Sequence, residues 1–275
     1  MSDWNPQDRP APAPLTVAGW GRVLVKGVAL GGLTYGGLAV LLLVRLVERP
    51  FFGASRPYSP WVTQFVCRGA VRIIGLGYRR SGTPMAGRGA LVANHSSWLD
   101  IFALNASDRL YFVSKSEVAR WPFVGWLARA TGTLFIERDP KRAKVQQAQF
   151  EDRLMAGHRL MFFPEGTSTD GLRVLGFKST LFAAFYSHQS PQPLFIQPVA
   201  IRYHGPPRAD PRFYGWWGSM TFAPHLAGVL AAPRQGTVEV VFLEPVAIAR
   251  FTSRKDLAAW CEARIREATL GDATP

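Results

Sequence analysis

Hydrophobic positions run together in the first part of the chain and come in short bursts after it. From Gly27 to Val44, "GVALGGLTYGGLAVLLLV" carries no charge, and Arg22 and Lys26 flank one end while Arg45 and Arg49 flank the other. As a helix at ~1.5 Å per residue the segment spans about 27 Å, close to the ~30 Å hydrocarbon core of a bilayer. This pattern predicts a transmembrane or deeply inserted helix. A secretory signal peptide is the rival, but no small-x-small cleavage site follows closely; a buried soluble helix fits poorly with so much glycine. Gly27-x-x-x-Gly31 and Gly32-x-x-x-Gly36 have the spacing that lets helices approach closely. A second apolar helix, Pro60 to Tyr78 and ending near Gly75 or Gly77, carries Arg68 and Arg72 and suits the membrane interface.

Past Gly82 the apolar runs shorten to strand length: 90–93, 110–113, 133–136, 160–163, 194–201 and 238–242. Helical stretches separate several of them. One runs from Pro140 to Met155, with Asp139 placed to cap it and Gly157 to stop it; another follows Ser253 as N-cap. The expected fold is therefore α/β, a mixed, partly parallel sheet flanked by helices, preceded by N-terminal membrane-associated helices. The expected organisation is a disordered N-terminus over 1–20, a membrane anchor and interfacial helix over 21–82, and a single domain over 83–275.

Composition narrows the function. The chain of 275 residues is 48% hydrophobic, and 32 Lys+Arg against 19 Asp+Glu give a net charge of +13. Such a surface attracts anionic lipid, acidic carrier proteins or nucleic acid. No basic stripe interleaved with aromatics and no recognisable nucleic-acid motif occurs, so nucleic acid is not an expected partner. The same charge places the large domain on the cytoplasmic side of an inner membrane. Cys67 and Cys261 stand far apart without metal-ligand spacing, and no metal site is expected.

One elbow concentrates reactive groups. In "LVANHSSWLDIFAL" (Leu91 to Leu104) an apolar strand runs into Asn94, His95, two serines and Asp100 before a second apolar segment. His95 would sit at the C-terminal edge of the sheet, where open α/β folds gather their chemistry. If a helix starts at Ser96 or Ser97, Asp100 lies in its first turn, within reach of one imidazole nitrogen, and leaves the other to take a proton. The bland reading is equally specific: Ser97-x-x-Asp100 before an apolar run is a capping box. No Gly-x-Ser-x-Gly elbow occurs, which disfavours a serine hydrolase. Three further stretches end on strands: "GTLFIERD" with Arg138, "MFFPEGTSTDG" with Glu165, Gly166 and Thr167, and "FIQPVAI" with Pro198.

Taken in order, these four blocks resemble the membrane-associated glycerolipid acyltransferases, the 1-acylglycerol-3-phosphate acyltransferase family with its NHxxxxD motif. Asn94–Asp100 is similar to that motif, Gly132–Arg138 to the second block, Phe163–Thr167 to the third and Pro198–Ala200 to the fourth. Between the first two, Lys115, Glu117, Pro122 and Gly125 also match. The resemblance covers residues 60 to 268 and implies an acyltransferase fold and activity. An acyl chain would pass from acyl-CoA or acyl carrier protein to the free hydroxyl of a lysolipid, without metal or resident cofactor. It implies His95 as the base, Asp100 as its orienting partner, and Asn94, Lys115, Arg138, Glu165, Gly166, Thr167 and Pro198 as substrate-binding. Backbone N–H groups at the helix start after His95 would then serve the oxyanion. The first acceptor implied is 1-acyl-sn-glycerol-3-phosphate. One departure bears on this: the family's third block continues with Arg, and Ser168 stands there, with Arg173 and Lys178 downstream. A missing cation opens the alternative of a phosphate-free acceptor, lyso-ornithine lipid. An inactive lipid-binding membrane protein is the alternative of another class.

Overall fold

A computed structural model describes residues 7–8, 10, 14–137, 143–186 and 193–271. Two helices open it. Helix α1 (Val17–Phe52) begins where the Thr16 hydroxyl accepts from the Gly19 N–H at 3.1 Å. Helix α2 (Ser59–Ile74) ends on Gly75, whose φ of 85° favours a residue without a side chain. Strands β1 (Gly77–Ser81) and β2 (Gly89–Ala93), helix α3 (Leu99–Ser107) and strand β3 (Tyr111–Lys115) follow, then α4 (Val124–Thr131), β4 (Leu134–Ile136), α5 (Ala143–Met155) and β5 (Leu160–Phe162). The chain closes with β6 (Phe195–His204), α6 (Phe222–Ala231), β7 (Thr237–Phe242), β8 (Val246–Ala247) and α7 (Arg254–Leu270).

The sheet order is β1-β7-β6-β2-β5-β3-β4, with β8 also on β6. The five strands from β6 to β4 are mutually parallel; β7 is antiparallel to β6, and β1 parallel to β7. Both faces are covered, which is why the central strands read as unbroken apolar runs. Leu91, Ala93, Met161 and Ile201 pack toward α2, α3 and α6, while Ala90, Val92, Leu160 and Phe162 pack toward α5 and α7.

The expected α/β class and each expected strand are present. Ser253 caps α7 through its hydroxyl, which accepts from the Asp256 N–H at 3.2 Å. The proposed cap of α5 at Asp139 and Pro140 lies outside the described residues. The N-terminal boundaries need correction. The first helix starts at Val17, inside the stretch expected to be disordered. Strand β1, inside the expected anchor, joins the sheet through β7. Arg68, expected at headgroups, donates to the Ala106 carbonyl at 2.9 Å, because α2 is a layer packed on α3.

Among the described residues one helix, α1, is long and apolar enough to cross a membrane. It lies along the domain. Arg22 donates to the Ala231 carbonyl at 2.6 Å, Lys26 to the Ile74 carbonyl at 2.8 Å, and Tyr35 meets Phe123 edge-on. Its outward face exposes Leu42, Leu43, Leu46, Val47 and Phe51. Close helix approach does not use the two glycine pairs. Gly31, Gly32 and Gly36 face open space, whereas Gly37 lies against Val66 and Gly69 against Leu33. Added Cβ atoms there would come within 2.3 and 2.7 Å of those side chains.

Candidate active site

Strands β2 and β5 end side by side, and the loops leaving them build the site. Two residues past β2, His95 points its Nδ1 at Asp100 Oδ2, 2.7 Å away. That contact assigns the imidazole proton to Nδ1 and makes Nε2 the nitrogen able to accept one. The ring stacks on Phe163 at 4.0 Å between centroids and 12° between planes, which fixes its tilt. The imidazole is 21% exposed and the Asp100 side chain fully buried.

Asp100 is heavily engaged. Oδ2 also accepts the N–H groups of Ser96 (2.8 Å) and Ser97 (3.1 Å), and Oδ1 accepts the Tyr203 hydroxyl at 2.8 Å. Burial and the adjacent Asp100 charge hold the Tyr203 phenol well above its usual pKa, so it stays a donor. The capping box is half formed: Asp100 takes the Ser97 N–H, but the Ser97 hydroxyl caps nothing and, among the described residues, is buried without a partner. Orienting the imidazole and capping the turn thus fall on one oxygen. The expected oxyanion donors need correction as well, because the Ser96 and Ser97 amides are bound to Asp100.

Asn94, expected at the substrate, instead stitches the sheet. Its Nδ2 donates to the Ile201 carbonyl at 2.9 Å and its Oδ1 accepts the Ile201 N–H at 2.8 Å. The side chain continues the β2–β6 ladder past its last backbone pair, Ala93 with Val199. Pro198 is structural too. Its carbonyl accepts the Leu243 N–H at 3.0 Å, so its nitrogen faces the break between β7 and β8, where a ladder N–H has no partner strand.

Glu165 ties two loops together rather than reaching outward. Oε1 accepts the His95 N–H and Oε2 the Leu175 N–H, each at 2.7 Å. Gly166 has a φ of 71°, with the Lys178 ammonium folded over it. Thr167 is exposed, and Lys115 is exposed at the end of β3. Arg138 lies outside the described residues. Ser168 is buried and donates from Oγ to the Trp216 carbonyl at 2.5 Å. Neither downstream cation stands in its place: Arg173 clasps Asp170 through Nε and Nη2 at 2.9–3.1 Å, and Lys178 covers Gly166.

Several supporting residues carried no sequence signal. The Thr169 N–H donates to the His95 carbonyl (2.9 Å) and the Trp216 N–H to the Ser96 carbonyl (2.8 Å), so two distant loops clamp the elbow. Trp98 donates to His225 Nδ1 at 2.9 Å, and burial takes His225 down to about 4, keeping it a neutral acceptor. Tyr203 is three positions beyond the last recognised block. Trp98 and Phe163 lie inside recognised blocks, but their residue types announce no role there.

Burial pushes the Glu165 carboxyl up to about 8, against the pull of its two backbone donors and with the help of the Asp100 charge. The folded protein therefore holds a proton that the unfolded chain releases near 4.5. Glu165 contributes its full stabilisation below about 4.5, loses it progressively up to about 8, and is level above that. Glu165→Gln is expected to flatten the fall in melting temperature between pH 5 and 8. It should also lower the melting temperature at pH 5, since the Gln NH₂ must face one of two backbone donors, at ~1–3 kcal/mol. Melting curves of both proteins across that range check this; an unchanged slope in the variant would reassign the titration.

The Acyltransferase family model matches residues 72–202. The lyso-ornithine lipid O-acyltransferase of Rhodobacter capsulatus is 58% identical over 97% of this chain and 95% of its own length. The 1-acyl-sn-glycerol-3-phosphate acyltransferase of Neisseria gonorrhoeae is 38% identical over 42% of this chain and 45% of its own. Among solved structures, the 1-acyl-sn-glycerophosphate acyltransferase of Thermotoga maritima aligns with a TM-score of 0.53 at 20% identity. That alignment covers 89% of this chain and 96% of that one, and shows the shared fold.

Proposed function

Because the chain belongs to the acyltransferase family and acylates a lysolipid, we propose that its acceptor is lyso-ornithine lipid, a phosphate-free lipid, and that His95 and Asp100 carry the transfer. The observation that carries the acceptor is Ser168. It stands where the family's third block has Arg, and it is buried on the Trp216 carbonyl, while the downstream Arg173 is held by Asp170 and Lys178 lies over Gly166. A bidentate Arg–phosphate contact is what a phosphate monoester would need there. The relative matched along nearly the whole of both chains bears the lyso-ornithine name, whereas the Neisseria 1-acyl-sn-glycerol-3-phosphate acyltransferase matches less than half of either. Support therefore falls on the alternative acceptor and not on 1-acyl-sn-glycerol-3-phosphate.

In this mechanism the lysolipid hydroxyl attacks the carbonyl of an acyl thioester, on coenzyme A or an acyl carrier protein. His95 Nε2 takes the hydroxyl proton as the new C–O bond forms, and Asp100 stabilises the imidazolium through Nδ1. The tetrahedral intermediate collapses with cleavage of the C–S bond, and the proton passes from Nε2 to the departing thiolate. No covalent acyl-enzyme is needed. The exposed apolar face of α1 seats the protein on the inner membrane, where acceptor and product reside, with the sheet domain on the cytoplasmic side. Arg138, Lys115 and Thr167 remain the residues proposed to meet the acceptor; Asn94, Glu165 and Pro198 support the elbow from beneath.

Detergent-purified protein should be assayed with both donors on lyso-ornithine lipid and lysophosphatidic acid side by side, with His95→Ala as control. Loss of one charge-assisted contact, ~1.5–3 kcal/mol, predicts a kcat/KM about 10- to 100-fold higher on the phosphate-free acceptor. Equal or better turnover of lysophosphatidic acid overturns the acceptor. Activity that survives His95→Ala overturns the mechanism on either acceptor.

A further inference from the structure

At the sheet edge opposite His95, where β3, β4 and β5 begin, two arginines converge from different parts of the chain. Arg153 of α5 lies across the Tyr111 ring, its guanidinium carbon 4.7 Å from the centroid. It donates from Nε to His158 Nδ1 and from Nη2 to the Gly132 carbonyl, both at 2.6 Å. Arg56, in the turn between α1 and α2, donates from Nη1 to the Ala130 carbonyl at 3.3 Å. Both guanidinium groups crowd one point: a Cβ on Gly132 would lie 2.5 Å from Arg56 Nη1 and 3.3 Å from Arg153 Nη2. Gly132 itself has a φ of 85°.

Among the described residues neither arginine has a carboxylate partner. The groups facing them are Tyr111, Arg45, His158 and one acid, Glu48. Glu48 is already committed to Arg45 (2.8 Å) and to the Tyr58 and Ser59 N–H groups at 2.6 and 3.1 Å. Burial, then the neighbouring Arg56 charge, brings Arg153 down to about 10. Burial and Arg153 bring His158 down to about 4, so it accepts from Arg153 and adds no charge at neutral pH. Arg56 reaches this position through a left-handed backbone, φ 47°, that costs a non-glycine residue energy and needs a reason. Two half-buried guanidinium groups with most of their N–H donors uncommitted are the recognition chemistry of a phosphate.

The rim says which phosphate. Leu46, Val47, Phe51, Phe52, Tyr58 and Trp61 are exposed beside this turn and form an apolar edge continuous with the outer face of α1. A ligand with a phosphate at the arginines and hydrocarbon along that edge satisfies both. We propose that Arg56 and Arg153 form a phosphate site for the headgroup of an anionic phospholipid, on the opposite edge of the sheet from His95. The site holds the domain at a fixed height and tilt on the membrane, and it does not depend on which lysolipid is the acceptor.

The test is thermal unfolding of the full chain in neutral detergent, followed by tryptophan fluorescence, with short-chain phosphatidylglycerol, short-chain phosphatidylcholine, inorganic phosphate, or sodium chloride at matched ionic strength. Phosphatidylglycerol at a hundredfold excess over its Kd is expected to raise the melting temperature of the wild type by about 5–10 °C. Phosphatidylcholine and chloride should do far less, and Arg153→Gln and Arg56→Gly should lose the shift. Arg56→Gly guards against misfolding, since glycine adopts the left-handed backbone without strain. A purely structural arginine would leave the variant less stable in every buffer with the lipid shift intact, and that result overturns the proposal. So does an equal shift with chloride. An arginine-dependent shift that inorganic phosphate produces as readily as phosphatidylglycerol overturns the lipid headgroup as ligand.

Discussion

Asp100→Asn is expected to lower kcat by about 10²–10⁴ while leaving the fold in place. The separation follows from how the carboxylate is used. Its Oδ2 gathers the His95 Nδ1–H and the Ser96 and Ser97 amides, while Oδ1 takes only the Tyr203 hydroxyl. An asparagine can keep its oxygen on the crowded side and turn its NH₂ toward Tyr203, whose hydroxyl can rotate to accept. The elbow then keeps its three inward bonds. What disappears is the negative charge beside an imidazole that, in the proposed mechanism, becomes imidazolium as the hydroxyl is deprotonated. One weakened contact at Tyr203 costs ~1–2 kcal/mol, which lowers the melting temperature by about 2–8 °C. Kinetics with saturating acceptor, beside a melting curve, distinguish the cases. A variant that turns over within threefold of the wild type would leave Asp100 with the turn alone.

The fold was largely legible because its signals are local. Each buried strand writes a short apolar run, and Ser253 and Gly75 sit where helix ends need an oxygen or a left-handed backbone. The elbow was legible in the same way, since His95 and Asp100 lie five positions apart on one turn. Sequence order misled where contacts are long-range. Asn94 looks like a polar residue next to a base, and only the β2–β6 pairing shows its amide replacing a missing ladder rung at Ile201. Glu165 looks like a turn carboxylate, yet it is buried between loops that meet only in three dimensions. Tyr203 and Trp216 reach the elbow from more than a hundred residues away, so no spacing announces them. The glycine pairs of α1 were read by motif, while helix contact is decided by which face α2 lands on.

Asn94→Ala is expected to be the most destabilising change among the polar residues around the base, and to act on stability and kcat rather than on acceptor KM. Truncation leaves the Ile201 N–H and carbonyl buried and unpaired, at ~1–3 kcal/mol each. At ~2–4 °C per kcal/mol for a protein of this size, the melting temperature should fall by about 4–24 °C. Asn94→Asp should be no milder, because a carboxylate restores the bond to the Ile201 N–H but sets an oxygen against the Ile201 carbonyl. The kinetic part follows from the chain path. Asn94 is the last residue held to β6 before His95, and the His95 N–H and carbonyl are pinned in turn by Glu165 and Thr169. Releasing the strand end lets the imidazole drift from Asp100 and from its stack on Phe163, and a base misplaced by about 1 Å costs on the order of 10² in rate. Because the amide does not face the substrate, the acceptor KM should stay within about threefold of the wild type. A variant with a normal melting temperature and a KM raised tenfold would return Asn94 to the substrate and leave Ile201 to be satisfied by another group.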